Sequence, residues 1–130
     1  MTNLFRGMKE DKDGLPVLEA GARGLGVRPG IDVPAEQTSQ VVRPGQGGVS
    51  VSPDDPLNLP KYRRPPEFQG DGKDPIWTIA DSDLAPDLRY RADAENSNHG
   101  FLEPARHMSL SEYEIAINAT RKLWRKVPRP

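Results

Sequence analysis

The sequence contains no cysteine, few aromatic residues and no long hydrophobic run. Without cysteine, the chain forms no disulfide, no thiolate metal site and no cysteine nucleophile, so its folding needs no oxidising compartment. No stretch approaches the roughly 20 apolar residues of a transmembrane helix, and residues 1–8 lack the apolar core of a secretory signal peptide. We therefore expect a protein that works in the cytoplasm, whether made there or delivered from outside without a signal peptide, and that does not bind a membrane.

A large charge imbalance is also absent, because 18 basic and 19 acidic residues leave a net charge of -1. No overall positive field therefore draws the chain to nucleic acid. The length of 130 residues suits a single domain, which we expect over residues 1–130. The 14 prolines and 12 glycines beside a hydrophobic fraction of 35% predict a loop-rich fold with a thin core. The Pro-rich stretch 53–75 is expected to be a long loop within that domain.

Short apolar runs bounded by turn residues predict a set of short strands. They lie at residues 2–8, 47–53, 75–80, 88–91 and 99–102. In the second run, Val49 and Val51 alternate with serines, which is the pattern of a half-buried strand. Residues 15–22 have the spacing of a short helix, and residues 28–45 are predicted to be irregular.

One long helix is predicted over residues 109–126. Ser109 and Glu112 form the S-x-x-E capping box that begins a helix, and Pro128 lies beyond its end. Basic side chains in the last turns suit the helix dipole. Strands followed by one terminal helix indicate an α+β fold, in which this long C-terminal helix packs on a compact mixed sheet.

Two early segments carry candidate binding residues. Arg6 interrupts an apolar strand, so its guanidinium needs a polar partner, which is either a structural carboxylate or the phosphate or ribose of a ligand. Gly47 and Gly48 let a backbone approach a flat ring or a carboxamide closely. The hydroxyl of Ser50 then binds the ligand, or it faces water on an amphipathic strand.

His99 and Glu103 are candidates on a later strand, where they face the same side roughly 13 Å apart. His99 would orient a ribose hydroxyl, and Glu103 would stabilise a developing oxocarbenium charge. The alternative is an exposed histidine and a solvated carboxylate. With two histidines and no H-E-x-x-H motif, we expect no zinc site.

Two aromatic residues complete the candidate set. Trp77 lies in the most apolar run and is expected in the core, although an aromatic ring there is also a candidate to hold a cofactor. Tyr62 lies in the basic segment 61–64. This segment is either a mobile loop that contacts a substrate or a solvated patch.

Four blocks of the sequence, taken in order, resemble a known family. They are L-F-R-G, Q-G-G-V-S-V-S, I-W-T-I-A-D-S-D-L-A-P-D-L and H-G-F-L-E-P-A-R-H-M-S-L-S-E-Y. In this order they resemble the type VI secretion effector toxins with an ADP-ribosyltransferase-like fold. The blocks lie near residues 3–8, 46–52 and 76–126, and the stretch H-x-x-L-x-P-x-x-x-M is their most specific part.

The resemblance implies a sheet sandwich of ADP-ribosyltransferase-like type and an antibacterial toxin that uses NAD in the cytoplasm of a target cell. It also implies a cognate immunity protein and a macromolecular acceptor, with NAD hydrolysis as the alternative to transfer. By this resemblance, Arg6 contacts the nicotinamide-side ribose or phosphate, Ser50 lines the NAD cleft, and His99 matches the histidine before the L-x-P element. The resemblance does not itself assign the catalytic carboxylate, which we expect to be Glu103, with Asp93 and Glu95 as alternatives.

The expected site has two overlapping sets of residues. The catalytic set is Arg6, Ser50, His99 and Glu103. The NAD-binding set is Arg6, Gly47, Gly48, Ser50, Tyr62 and Trp77.

Two other function classes stay open at this stage. One is a toxin that cleaves RNA, with His99 in acid-base chemistry and the basic segment 61–64 on phosphate, although the net charge of -1 argues against it. The other is a non-catalytic interaction module, such as an immunity protein or an adaptor, which the polar composition also suits.

Overall fold

The computed structural model describes residues 1–19, 21–27, 32 and 41–130. Its strands are β1 (Asn3–Gly7), β2 (Val41–Val42), β3 (Val49–Pro53), β4 (Ile76–Ala80), β5 (Leu88–Asp93), β6 (Asn96–Pro104), β7 (Met108–Ser109) and β8 (Arg125–Lys126). The α-helix α1 is Leu110–Ala119. The larger sheet has the order β5-β6-β3-β1-β4-β8, and β2 pairs with β7 in a second sheet. All pairs between these strands are antiparallel, and the α+β class is confirmed.

The five predicted strands are confirmed as β1, β3, β4, β5 and β6. The alternation in β3 has the expected effect, because Val49 and Val51 are both buried. β6 extends further than residues 99–102, since it forms a hairpin with β5 on one side and pairs with β3 on the other.

The helix prediction was right about its start and wrong about its end. Ser109 and Glu112 form the predicted capping box, but α1 ends at Ala119. The hydroxyl of Thr120 donates to the Ile117 carbonyl at 2.7 Å and accepts from the Trp124 indole at 3.0 Å. A 3-10 turn, Arg121–Leu123, follows, and β8 then pairs with β4. The chain leaves the helix because β4 offers hydrogen bonds to the backbone of β8.

The short helix predicted over residues 15–22 is absent from the described part of that segment. The Val17 amide donates to the Lys9 carbonyl at 2.9 Å, and the Leu25 amide donates to the Val17 carbonyl at 2.8 Å. The segment therefore pairs with neighbouring extended chain instead of with itself. Of the stretch predicted as irregular, residues 28–31 and 33–40 lie outside the described residues, and residues 41–42 form β2.

The core lies mainly between the larger sheet and α1. Leu4, Trp77, Ile79 and Val49 on the sheet and Tyr113 on the helix are among its buried members. Each large apolar side chain buried there stabilises the fold by at most about 1.5–3 kcal/mol. The packing of the C-terminal helix on the sheet agrees with the sequence prediction.

A smaller cluster lies on the opposite face of the sheet. Phe5 and Ile76 pack there against Leu59 and Phe68. The last two residues come from the Pro-rich stretch 53–75, which contains the 3-10 turns Pro56–Asn58, Lys61–Arg63 and Pro66–Phe68. This stretch therefore covers one end of the sheet.

Candidate functional site

A gap in the larger sheet sets the position of Arg6. β1 and β3 pair only through Leu4 with Pro53 and Phe5 with Ser52. Arg6 is the next residue of β1 beyond that point, and it is 5% exposed. It donates to the Ser50 carbonyl at 2.7 Å and to the Gly24 carbonyl at 2.9 Å. A buried cation thus replaces the strand pairing at this position.

A cleft opens at this gap, with a volume of about 240 Å³. Arg6, Ser50, Ser52, Tyr62, Arg63 and His99 are among the residues that line it. The structure therefore brings together four of the predicted site residues, from segments far apart in the chain. The volume is below the about 300–1,000 Å³ of typical ligand pockets, so a ligand of typical size would place only part of itself in the cleft.

The mouth of the cleft carries an aromatic ring and a cation. Tyr62 is 66% exposed, and the Arg63 guanidinium lies 5.0 Å from its ring centroid. Both belong to the basic segment 61–64, of which only Tyr62 was expected to bind NAD. Arg63 was expected only as part of this segment, because a run of basic residues does not reveal which side chain faces a cleft.

His99 is oriented by Asp93 on the neighbouring strand. Its Nδ1 donates to Asp93 Oδ2 at 2.9 Å, and its ring meets Phe101 edge-on with centroids 4.8 Å apart. The Glu95 amide and then His99 hydrogen-bond to the Asp93 carboxylate and hold its pKa below the ordinary value. Because Nδ1 is engaged, the neutral ring has Nε2 left as an acceptor.

Glu103 is buried away from the cleft and does not line it. It accepts from Arg89 Nε at 2.8 Å, from Arg91 Nε, and from the Gly45 amide at 3.2 Å. Burial alone would raise its pKa, but these hydrogen bonds outweigh burial and lower the pKa. The carboxylate is therefore charged and occupied by protein donors.

Three other predicted residues also do not line the cleft. Trp77 is 1% exposed and its indole donates to the Met8 carbonyl at 2.8 Å, so its place is the core. A Cβ on Gly48 would overlap the Leu102 carbonyl, which explains the need for glycine there. Gly47 has a φ of 109°. The two glycines permit close contact within the protein, and they lie outside the cleft lining.

The described residues contain neither a cluster of metal ligands nor a helix that could cross a membrane. No group of three or more His, Cys, Asp or Glu is placed there to hold a metal ion. No helix among these residues has the length and apolar character needed to cross a membrane.

Comparison with known proteins identifies the family to which this chain belongs. The family model of the Tse2 ADP-ribosyltransferase toxin matches residues 2–124. No curated protein and no solved structure matches the chain significantly. Because the family match covers nearly the whole chain, this protein belongs to the Tse2 ADP-ribosyltransferase toxin family.

Proposed function

We propose that this toxin binds NAD in the cleft at the gap between β1 and β3, breaks the bond between nicotinamide and ribose, and transfers ADP-ribose to a macromolecular acceptor. The observation that carries the proposal is the meeting of Arg6, Ser50 and His99 around one cleft in a member of this toxin family. Hydrolysis of NAD shares the first step and remains the alternative outcome when water replaces the acceptor.

The residues that line the cleft fit the nicotinamide end of NAD. Ser50, which is half-buried, offers a hydroxyl that both donates and accepts, which suits the hydroxyls of a ribose and a carboxamide. Tyr62 offers an exposed ring against which a flat heterocycle can stack. NAD itself supplies the activated ADP-ribosyl group, and the protein binds and orients it.

His99 and Asp93 have distinct roles in this proposal. His99 presents Nε2 to a ribose hydroxyl, because Nδ1 is held by Asp93. Asp93 is charged and contacts a residue of the cleft, so we assign to it the negative charge near the ribose that opposes developing positive charge. Glu103 is hydrogen-bonded to Arg89 and Arg91. Its role in this proposal is to position these two arginines.

The wider biology of the proposal follows from the family. The fold is proposed to be of ADP-ribosyltransferase type, with the gap in the antiparallel sheet as its ligand cleft. The whole chain is proposed to act as a single toxin domain, a type VI secretion effector delivered into the cytoplasm of a target cell. There it modifies its acceptor, and a cognate immunity protein protects the producing bacterium.

Release of nicotinamide from NAD by the purified full chain tests the activity. His99→Asn is expected to lower the rate by about 100-fold, because a positioned histidine contributes at least that much to such chemistry. Ser50→Ala is expected to lower it less. Ser82→Ala is the matched control, since Ser82 is exposed and is not among the residues that line the cleft.

Thermal unfolding of each variant separates a lost site from a lost fold. The proposal is wrong if the folded wild type releases no nicotinamide and labels no component of a bacterial lysate with ADP-ribose. Growth arrest on expression, relieved by the product of an adjacent gene, tests the toxin and immunity parts.

One observation favours a second candidate, an RNA-cleaving toxin. His99 and Arg63 line the same cleft, which pairs an acid-base group with a phosphate-binding cation. Degradation of RNA by the same preparation, lost in His99→Asn, would support this candidate over NAD chemistry.

A further inference from the structure

Arg89 and Arg91 form a charged cluster beside the cleft to which the proposed function assigns no ligand. Each uses its Nε to donate to the buried carboxylate of Glu103. Within the described residues, no other donor of either guanidinium makes a hydrogen bond. The two side chains are 53% and 31% exposed. Since a guanidinium has five N–H donors, each arginine has four left for a ligand.

Both guanidinium groups are held in place before any ligand arrives. Glu103 is fully buried and anchors both through one carboxylate. The Arg91 guanidinium also lies over the Phe101 ring, 4.8 Å from its centroid. A guanidinium group fixed in this way loses little conformational entropy when it binds an anion.

The charges around this pair favour an anion. Two cations face one carboxylate in the Arg89, Arg91 and Glu103 cluster. Asp93, the next acidic residue along β5, accepts from His99 and from the Glu95 amide. By contrast, Arg106 on another part of the surface faces two carboxylates.

The strand register connects this cluster to the cleft. Ser50 pairs with Phe101, and Phe101 pairs with Arg91. Directly paired residues share one face, so Arg91 lies on the same face as Ser50, two strands and roughly 10 Å away. His99 of the cleft also contacts Phe101. A ligand too long for the cleft therefore reaches Arg91 when it extends across Phe101.

We propose that Arg89 and Arg91, held by Glu103, form an anion site that binds the diphosphate of a dinucleotide whose other end occupies the cleft. This inference rests on the proposed function, because it takes NAD as the ligand. It makes Glu103 a positioning residue that fixes two phosphate-binding side chains.

Calorimetric titration of the full chain with ADP-ribose, NAD, nicotinamide and inorganic pyrophosphate tests the site. Arg91→Gln is expected to weaken ADP-ribose and NAD about tenfold or more, because a charged hydrogen-bonding partner of phosphate is lost. Nicotinamide binding should stay unchanged. Arg91→Lys keeps the charge but not the planar guanidinium, so its affinity for these ligands should lie between those of wild type and Arg91→Gln. Arg89→Gln should weaken the binding of the same two ligands. Arg106→Gln is the matched control and should bind like wild type.

The titrations separate this inference from the proposed function. Equal affinity of wild type and folded Arg91→Gln for ADP-ribose overturns the inference, even if wild type consumes NAD. Binding of ADP-ribose that depends on Arg91, without any consumption of NAD, supports the site and overturns the proposed activity. Binding of pyrophosphate but not of ADP-ribose overturns the assignment, because the phosphate then comes from another source.

Discussion

Arginine side chains in two regions of the molecule are held in opposite ways. Arg6, at the gap between β1 and β3, is 5% exposed and donates to backbone carbonyls. Arg106, on the outer surface, has a side chain that is 55% exposed and meets Asp87 and Glu112, each at 3.3 Å. Water cannot replace the partners of a buried guanidinium, whereas solvent screens an exposed ion pair. The cost of a substitution should therefore follow burial and not the number of ion pairs.

The largest effect is expected for Arg6→Met. The apolar side chain fills similar space but leaves the carbonyls of Ser50, Gly24 and Gly21 without their donor. Unsatisfied buried acceptors cost about 1–3 kcal/mol each, so we expect a loss of about 3–5 kcal/mol in the free energy of unfolding. Urea unfolding at pH 7 measures it. A variant as stable as wild type would contradict the importance we give to this buried cation.

Glu103→Gln should rank second and should depend on pH. The variant keeps the shape but loses the charge that two arginines and the Gly45 amide hold. We expect a loss of roughly 1–3 kcal/mol at pH 7. The pKa of Glu103 is lowered on folding, so its contribution is present above its ordinary value of 4.5 and is lost as pH falls through the lower folded pKa. Urea unfolding of both proteins between pH 7 and pH 3 measures this. A difference in the free energy of unfolding that stays constant with pH would refute it.

Tyr113→Phe extends the comparison from charge to a buried hydroxyl. The Tyr113 hydroxyl donates to the Leu102 carbonyl at 2.5 Å and accepts from the Val49 amide at 3.1 Å. Burial raises the pKa of this phenol, so it stays protonated and keeps both bonds. Its removal should cost about 1–2 kcal/mol in the free energy of unfolding. Tyr90→Phe is the control, because Tyr90 is only partly buried, and we expect a change within about 0.5 kcal/mol.

The smallest effect is expected for Arg106→Gln. Exposed ion pairs contribute about 0–1 kcal/mol, so the free energy of unfolding should change by less than about 0.5 kcal/mol. Thermal unfolding at low and high salt measures it, since screening should remove even this difference. A loss above about 1.5 kcal/mol would break the contrast between the buried and the exposed arginines.

Local patterns were enough to predict much of the fold. Alternation of valine with serine predicted β3, and the capping box at Ser109 predicted where α1 begins, because both signals depend on residues close in sequence. The end of α1 was not predictable in this way. It depends on Thr120 and Trp124 meeting each other and on β4 offering an edge to β8.

The sequence by itself determined the α+β fold class, the main strands and the residue types that gather at the cleft. Only the tertiary structure decided which of them meet. Strand register brings Asp93 to His99, and it turns Glu103 toward two arginines instead of toward the cleft. The physical reason is that cross-strand neighbours are set by pairing between distant segments, which no short window of sequence contains.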